Sequence, residues 1–301
     1  MRKLKAWFVL SRPAFLLVGI FPYILGTLLA HRIYGQFDPG IFVLGLLGVV
    51  LVMLATYYSG EYWDHIEDAL SARGMKTPFA GGSGIIQKQI LPRRAALHAS
   101  LVAILLALAT GLVLQFGYRT GTLTLAFGIL GLFAGFFYSA RPIRWVRTGF
   151  GELLIALCYG WLPVAVGFYL QTVTISRIVH WIAIPIGLTI FNVILINEYL
   201  DYEADQAAGK RNLLVRMTRE RCAFIYAAAG LAAVLFFYIS MKMGTPMRAL
   251  WLYIPISFLS VFLALMVLMR RWQDTATLAR MCAATIIVNL GTTASYIIAY
   301  A

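Results

Sequence analysis

Eight of the 12 acidic residues in this 301-residue chain fall into two short groups: Glu61, Asp64, Glu67 and Asp68, then Glu198, Asp201, Glu203 and Asp205. Each group closes a long apolar run, in a chain that is 61% hydrophobic. Ionised side chains are costly at the edge of a bilayer and persist mainly where they line a polar cavity or bind something. The spacing repeats, as Glu61-x-x-Asp64-x-x-x-Asp68 and Glu198-x-x-Asp201-x-x-x-Asp205. Residues three and four apart share a helix face, so each group is expected to aim one row of carboxylates in one direction. Two facing rows of oxygen ligands suit Mg²⁺, which takes carboxylates together with substrate phosphates. The matching chemistry is departure of a diphosphate, with metal, Lys and Arg stabilising charge as it develops. Glu67 and Glu203 lie off the aspartate faces and read as solvated.

The elements that must position these rows are membrane helices. Mean hydropathy is +0.82 and only 12% of residues are charged, which excludes an ordinary soluble domain. Apolar stretches long enough to cross a bilayer recur near 13–33, 41–62, 95–117, 121–139, 151–170, 178–200, 222–241, 248–269 and 281–299. The reading is all-α and polytopic: nine transmembrane helices in one domain over 1–301, with motif loops at about 60–94 and 197–221. No cleavable signal peptide is evident, because the first apolar run leads into further spans. The N-terminus and the loops after even-numbered spans hold 20 of the 25 basic residues, and the other side holds Arg32, Arg119, Arg177, Lys242 and Arg248. The positive-inside rule then places the N-terminus in the cytoplasm, the C-terminus outside and both acidic groups on the cytoplasmic face of an inner membrane.

A net charge of +13 reads as topology and attraction to anionic lipid, not as nucleic-acid binding. Cys158, Cys222 and Cys282 lie scattered in apolar runs and indicate neither disulfides nor zinc. The stretch 63–94 holds Arg73, Lys76 and Gly81-Gly-Ser-Gly84, and 201–221 holds Gly209-Lys-Arg-Asn212. Glycines there permit turns and close approach to a ligand. Tyr138-Ser-Ala-Arg141-Pro-Ile-Arg144-Trp-Val-Arg147 adds a phenol and cations on the same side. Arg141, Arg144 and Arg147 equally suit ordinary interfacial anchors. Aromatic residues, 14% of the chain, read mostly as core or belt, with some able to wall a cavity and stabilise a carbocation. His65 reads as a structural or surface residue rather than a ligand, and Asn192 either bonds between helices or touches substrate.

These residues together resemble the UbiA-type intramembrane prenyltransferases over nearly the full chain. The second motif, Asn197-Glu-Tyr-Leu-Asp201-Tyr-Glu-Ala-Asp205 followed by Ala208-Gly-Lys-Arg-Asn212, is similar to that family's pattern; in the first, Gly60-Glu61 stands where the family usually has Asn-Asp. Ser11-Arg-Pro13, Gly81-Gly-Ser-Gly84, and Tyr138-Ser-Ala-Arg-Pro142 with Gly151-Glu-Leu-Leu154 resemble the branch that prenylates dihydroxynaphthoate on the way to menaquinone. The resemblance implies a central cavity that opens to the cytoplasmic face and laterally to lipid. It implies catalytic, Mg²⁺-holding Asp64, Asp68, Asp201 and Asp205, assisted by Glu61, Asn197 and Glu198. Arg73, Lys76, Lys210, Arg141 and Tyr138 would meet the diphosphate. The implied substrates are a polyprenyl diphosphate donor and an aromatic acceptor. Other acceptors in the same family (hydroxybenzoate, a tetrapyrrole or a glycerol-phosphate lipid) remain alternatives. So do a cation-coupled transporter, which would more often carry its acids near the bilayer midplane, and a membrane transferase using a nucleotide-linked or diphosphate lipid.

Overall fold

The computed structural model describes residues 2–71 and 81–301, and every described element is helical. Prolines and glycines punctuate the apolar runs. A short helix α1 (Arg2–Leu10) precedes α2 (Pro13–Tyr34), which opens on a proline and stops at Gly35 in the left-handed region (φ 67°). Asp38 caps α3 (Pro39–Trp63) by accepting from the Ile41 amide at 3.0 Å. Next come α4 (His65–Ser71), α5 (Arg93–Leu112, prolonged by a π turn to Gly117), α6 (Leu123–Ser139) and α7 (Gly151–Ile155). A π turn at Ala156–Trp161 carries α7 into α8 (Leu162–Thr172). The chain ends with α9 (Arg177–Ala207), α10 (Leu213–Met217), α11 (Arg219–Met241), α12 (Arg248–Leu268) and α13 (Thr275–Tyr300). Eight of the described helical segments are long and apolar enough to cross a membrane, and α6 is a shorter ninth. This matches the polytopic, all-α reading.

The long helix α9 is the axis of the bundle. Ile182, Ile186, Val193, Leu195 and Ile196 are wholly buried there, among α2, α8, α11 and α13. Lipid tails are as apolar as leucine, so membrane helices associate through close packing of small residues. Gly26 of α2 meets the backbone of Val164 and Phe168, and Gly167 of α8 meets Tyr23, so a Cβ at either would strike main chain. Phe224, Trp251, Phe258 and Phe262 point outward, as a lipid-facing surface requires.

Both acidic groups lie at one end of the bundle, with the start of α2, the 140–150 connection and residues 208–212. Ion pairs among these segments fix that placement. Arg32 and Arg248, from the minority side of the charge count, instead donate to main-chain carbonyls of residues 299–301 at the opposite end.

Candidate active site

A cavity of about 370 Å³ runs inward from the acidic end between α2, α3, α5, α6, α8 and α9. Asp64, Asp68, Asn197, Glu198, Asp201, Asp205, Lys210 and Tyr138 all line it, so residues 137 positions apart in sequence share one wall system. Beyond them the lining turns apolar, through Tyr57, Tyr159, Met53, Gly48, Leu108, Gly128 and Gly131, and ends near Gly45, Leu114 and Leu170. Residues 45 and 64 are separated by about 28 Å of helix axis, close to the roughly 30 Å of hydrocarbon in a bilayer. A charged head site thus opens onto an apolar shaft of near-membrane depth.

The two carboxylate rows differ in construction. The second lies on continuous α9, and its regular turns present Glu198, Asp201 and Asp205 to the cavity. The first does not lie on one straight helix: α3 ends at Trp63, the chain bends at Asp64, and α4 begins at His65. Hydrogen bonds continue through the bend, from Asp64 N to Gly60 O and from Asp68 N to Asp64 O. Asp64 is held from outside its own helix, by Arg144 at 2.7 Å and by the Ser139 hydroxyl. The expectation that the first group forms one row on a single helix face is met only across this bend.

Protein cations already partner much of this charge. Lys210 sits 2.9 Å from Asp205, which also accepts from Asn212 at 2.8 Å. Burial works against the Lys210 ammonium, but Asp205, Asp64 and Asp68 hold its pKa above the ordinary lysine value. Burial pushes the Asp68 carboxyl well above the usual carboxylate range, opposed by Arg12 and reinforced by Asp64 and Glu61. Asp201 accepts from the Ser71 hydroxyl and from the Gly81 amide at 3.2 Å. Among the described residues, no three carboxylate, imidazole or thiolate groups are close enough to share one ion as they stand. The donor chemistry nevertheless fits a hard divalent cation. Four aspartates line one cavity, and the buried Asn197 Oδ1 has no hydrogen-bond partner among the described residues, whereas Glu198 lies within hydrogen-bonding reach of the Glu152 carboxyl. An orphaned buried oxygen such as that of Asn197 calls for a ligand.

Glu67 departs from expectation. It is buried, and accepts from Arg144 at 2.9 Å and Arg147 at 2.7 Å. Burial pushes its carboxyl up, but its own amide, Arg147 and Arg144 bring it below the usual range. It is a strap between α4 and the 140–150 connection, because a buried carboxylate must be paired. Arg144 is likewise enclosed rather than an interfacial anchor. Glu203 is solvated, with 76% of its side chain exposed. Arg141 is exposed and does not reach the cavity, whereas Tyr138 does. Arg73 and Lys76 lie outside the described residues. Asn192 bonds to Tyr226 O at 3.0 Å, between α9 and α11. Two residues that the sequence placed only within resembling motifs take a definite role in three dimensions: Arg12, which lines the cavity, and Ser139, which orients Asp64. The sequence signal for Arg12 was its place in Ser11-Arg-Pro13 at the start of the first span.

Comparison with known proteins gives the family and the fold. Residues 19–290 match the model of the UbiA prenyltransferase family. A 1,4-dihydroxy-2-naphthoate octaprenyltransferase of Bacillus subtilis (strain 168) is 28% identical over 254 residues, 84% of this chain and 77% of that protein. The protein of that same name in Escherichia coli (strain K12) is 27% identical, over 71% of this chain and 68% of its own. Among solved structures, a digeranylgeranylglyceryl phosphate synthase superposes with a TM-score of 0.71 at 14% identity, covering 100% and 99% of the two chains. A UbiA homolog from Archaeoglobus fulgidus, bound to DMAPP and Mg²⁺, gives 0.64 at 18% identity over 96% and 99%. These structural likenesses carry the fold. Together with a family match spanning most of its length, they place this chain in the UbiA prenyltransferase family, as an integral membrane enzyme that transfers isoprenyl chains.

Proposed function

We propose that this enzyme transfers a polyprenyl chain from its diphosphate to 1,4-dihydroxy-2-naphthoate, with Mg²⁺, at the cytoplasmic face of an inner membrane. The observation that carries this reading is the single cavity with an acidic and cationic head and an apolar shaft. Such a shape matches a donor with one charged end and one long hydrocarbon end. The acceptor is supported by relatives bearing the dihydroxynaphthoate name in Bacillus subtilis and Escherichia coli. The charge asymmetry supports a cytoplasmic N-terminus and an external C-terminus.

Asp64, Asp68, Asp201 and Asp205, with Asn197 and Glu198, are the residues that would hold Mg²⁺. Bound there, the metal supplies positive charge against the diphosphate. Lys210 and Arg12 line the same end and neutralise further charge as the leaving group departs. The bond between the allylic carbon and the diphosphate oxygen breaks with its electron pair on oxygen. Tyr138, Tyr57 and Tyr159 border the transition from head to shaft, where ring faces stabilise the allylic cation. The enclosed apolar walls keep water from intercepting it. A ring carbon of the acceptor then supplies the electron pair for the new carbon–carbon bond, and that carbon gives up its proton, or its carboxylate as CO₂, so that the released bonding pair restores the aromatic ring.

The test is to offer the purified protein a labelled polyprenyl diphosphate and Mg²⁺ with a panel of acceptors, and to identify products by mass spectrometry. A prenylated naphthoate-derived product is the expected result. Products from hydroxybenzoate, a tetrapyrrole or a glycerol phosphate alone would overturn the acceptor assignment. Cation flux in liposomes without any transfer would overturn the enzymatic role.

The departure at Gly60 allows a second check. A Cβ there would lie 3.7 Å from Ser139 Oγ and 4.0 Å from Asp64 Oδ2, ordinary contact distances. Gly60→Asn is therefore expected to fold normally. The added oxygen at the first row is expected to lower the Mg²⁺ concentration for half-maximal activity about fivefold, the equivalent of one ordinary hydrogen bond at ~1 kcal/mol. An unchanged or raised Mg²⁺ requirement would show that position 60 does not face the ion.

A further inference from the structure

Glu61 lies where the first motif departs from the family pattern, and its surroundings are not those of a metal ligand. Gly60, Asp64 and Asp68 line the cavity, and Glu61 does not. Its side chain is 0% exposed. Oε1 accepts from Arg12 Nη2 at 3.1 Å and from the Ser83 amide at 2.7 Å, and Oε2 accepts from the Ser83 hydroxyl at 2.9 Å. An ionised carboxylate has about four acceptor positions. Three are committed to protein donors, and the cavity gives no approach to the fourth.

The two groups it joins come from distant parts of the chain. Arg12 precedes α2 as its N-cap, adopts a left-handed backbone (φ 45°), lines the cavity and keeps 34% of its side chain accessible. Ser83 belongs to the turn Gly81–Gly84, whose outer glycines have φ of 67° and 73°. That turn faces the acidic rows: the Gly81 amide donates to Asp201, and a Cβ on Gly82 would strike the Asp68 carboxylate. The extra methylene of Glu over Asp supplies the reach from the last turn of α3 to Ser83.

We propose that Glu61 is a positioning residue for the donor's diphosphate: it latches Arg12 to the Gly81–Gly84 turn, so that guanidinium and turn form two sides of one anion seat above the carboxylate rows. This rests on the prenyl-diphosphate reading of the cavity. It assigns the departure at Glu61 to phosphate placement instead of metal ligation.

Calorimetry on the purified full-length protein tests the latch without turnover, using Mg²⁺ alone and then inorganic diphosphate in saturating Mg²⁺. Glu61→Gln keeps the shape and the bond from the Ser83 amide but loses the charge that holds Arg12. It is expected to weaken diphosphate binding about tenfold, as for one lost charge-assisted hydrogen bond. Mg²⁺ affinity should stay within about twofold, well inside the tenfold that 1.4 kcal/mol represents. In turnover the same variant raises the donor KM, and kcat falls as well, because the released Arg12 no longer meets the charge that develops on the departing diphosphate. Ser83→Ala reaches the latch from its other side, and a threefold loss of diphosphate affinity is expected, about 0.65 kcal/mol. That arm decides the matter if Glu61→Gln fails to fold.

Weakened Mg²⁺ binding in Glu61→Gln would overturn the proposal in favour of ligation, and unchanged diphosphate binding in the folded variants would overturn it outright. A wild-type protein that binds neither probe also overturns it. A wild-type protein that binds both but prenylates no acceptor contradicts the proposed function, while the latch still stands or falls on the calorimetry.

Discussion

Replacing Asp201 with asparagine is expected to cut prenyl transfer by on the order of 10³-fold while the protein stays folded, the scale of losing one charge-stabilising group at a reacting centre. Asp201 lines the cavity on the regular part of α9, and its protein partners are both donors, the Ser71 hydroxyl and the Gly81 amide. An amide oxygen can still accept from either. The substitution therefore removes charge with little change in packing. Asp64→Asn is expected to abolish activity similarly and also to lower stability. It withdraws a carboxylate from buried Arg144, whose bonds to charged partners are worth about 1.5–3 kcal/mol each. Transfer of a labelled polyprenyl diphosphate, measured beside thermal unfolding, separates the two effects. Asp201→Asn working at the wild-type rate would remove that residue from the catalytic set.

Filling the shaft is expected to produce the second large effect, and a selective one. Gly128 lines the cavity, and a Cβ built there meets nothing within 4 Å. It lies 11 residues along α6 from Ser139, about 16 Å from the head site at 1.5 Å per residue. With that open space at its Cβ, a Gly128→Trp side chain is expected to take up volume in the shaft. Long donors would have to overpack the filled shaft or bend out of it, a cost of about 1–3 kcal/mol, or about 10- to 10²-fold in kcat/KM. A short donor such as dimethylallyl diphosphate, confined to the head, should react at close to the wild-type rate. Competition between long and short donors measures the ratio directly. Equal losses for both would mean that the tail does not occupy this shaft.

The gross architecture was legible because its signals are local. Hydropathy marks each span within about 20 residues, and Asp38, Gly35 and Asn212 stop or start helices through their own side chains or backbone. The basic residues sort by side for the same reason. The arrangement within the site was less legible. Glu67 looked solvated from its helical phase, but the 140–150 connection folds over it and brings Arg144 and Arg147. Arg141, three residues before Arg144, points outward, because sequence proximity does not fix which side of a turn a side chain takes.

The sequence alone determined an all-helical membrane chain, two acidic groups with one spacing, and the family pattern that those groups match. Tertiary structure decided which carboxylates face the cavity and which are committed to other partners. Arg12 to Glu61, Arg144 to Asp64, and Ser71 to Asp201 join residues 49, 80 and 130 positions apart. Identical spacing on two helices fixes only the direction of side chains relative to each helix axis. What each carboxylate meets depends on elements folded against it from elsewhere in the chain. The second row therefore remains a regular face of α9, while the first is bent at Asp64 and has Glu61 turned toward the loop.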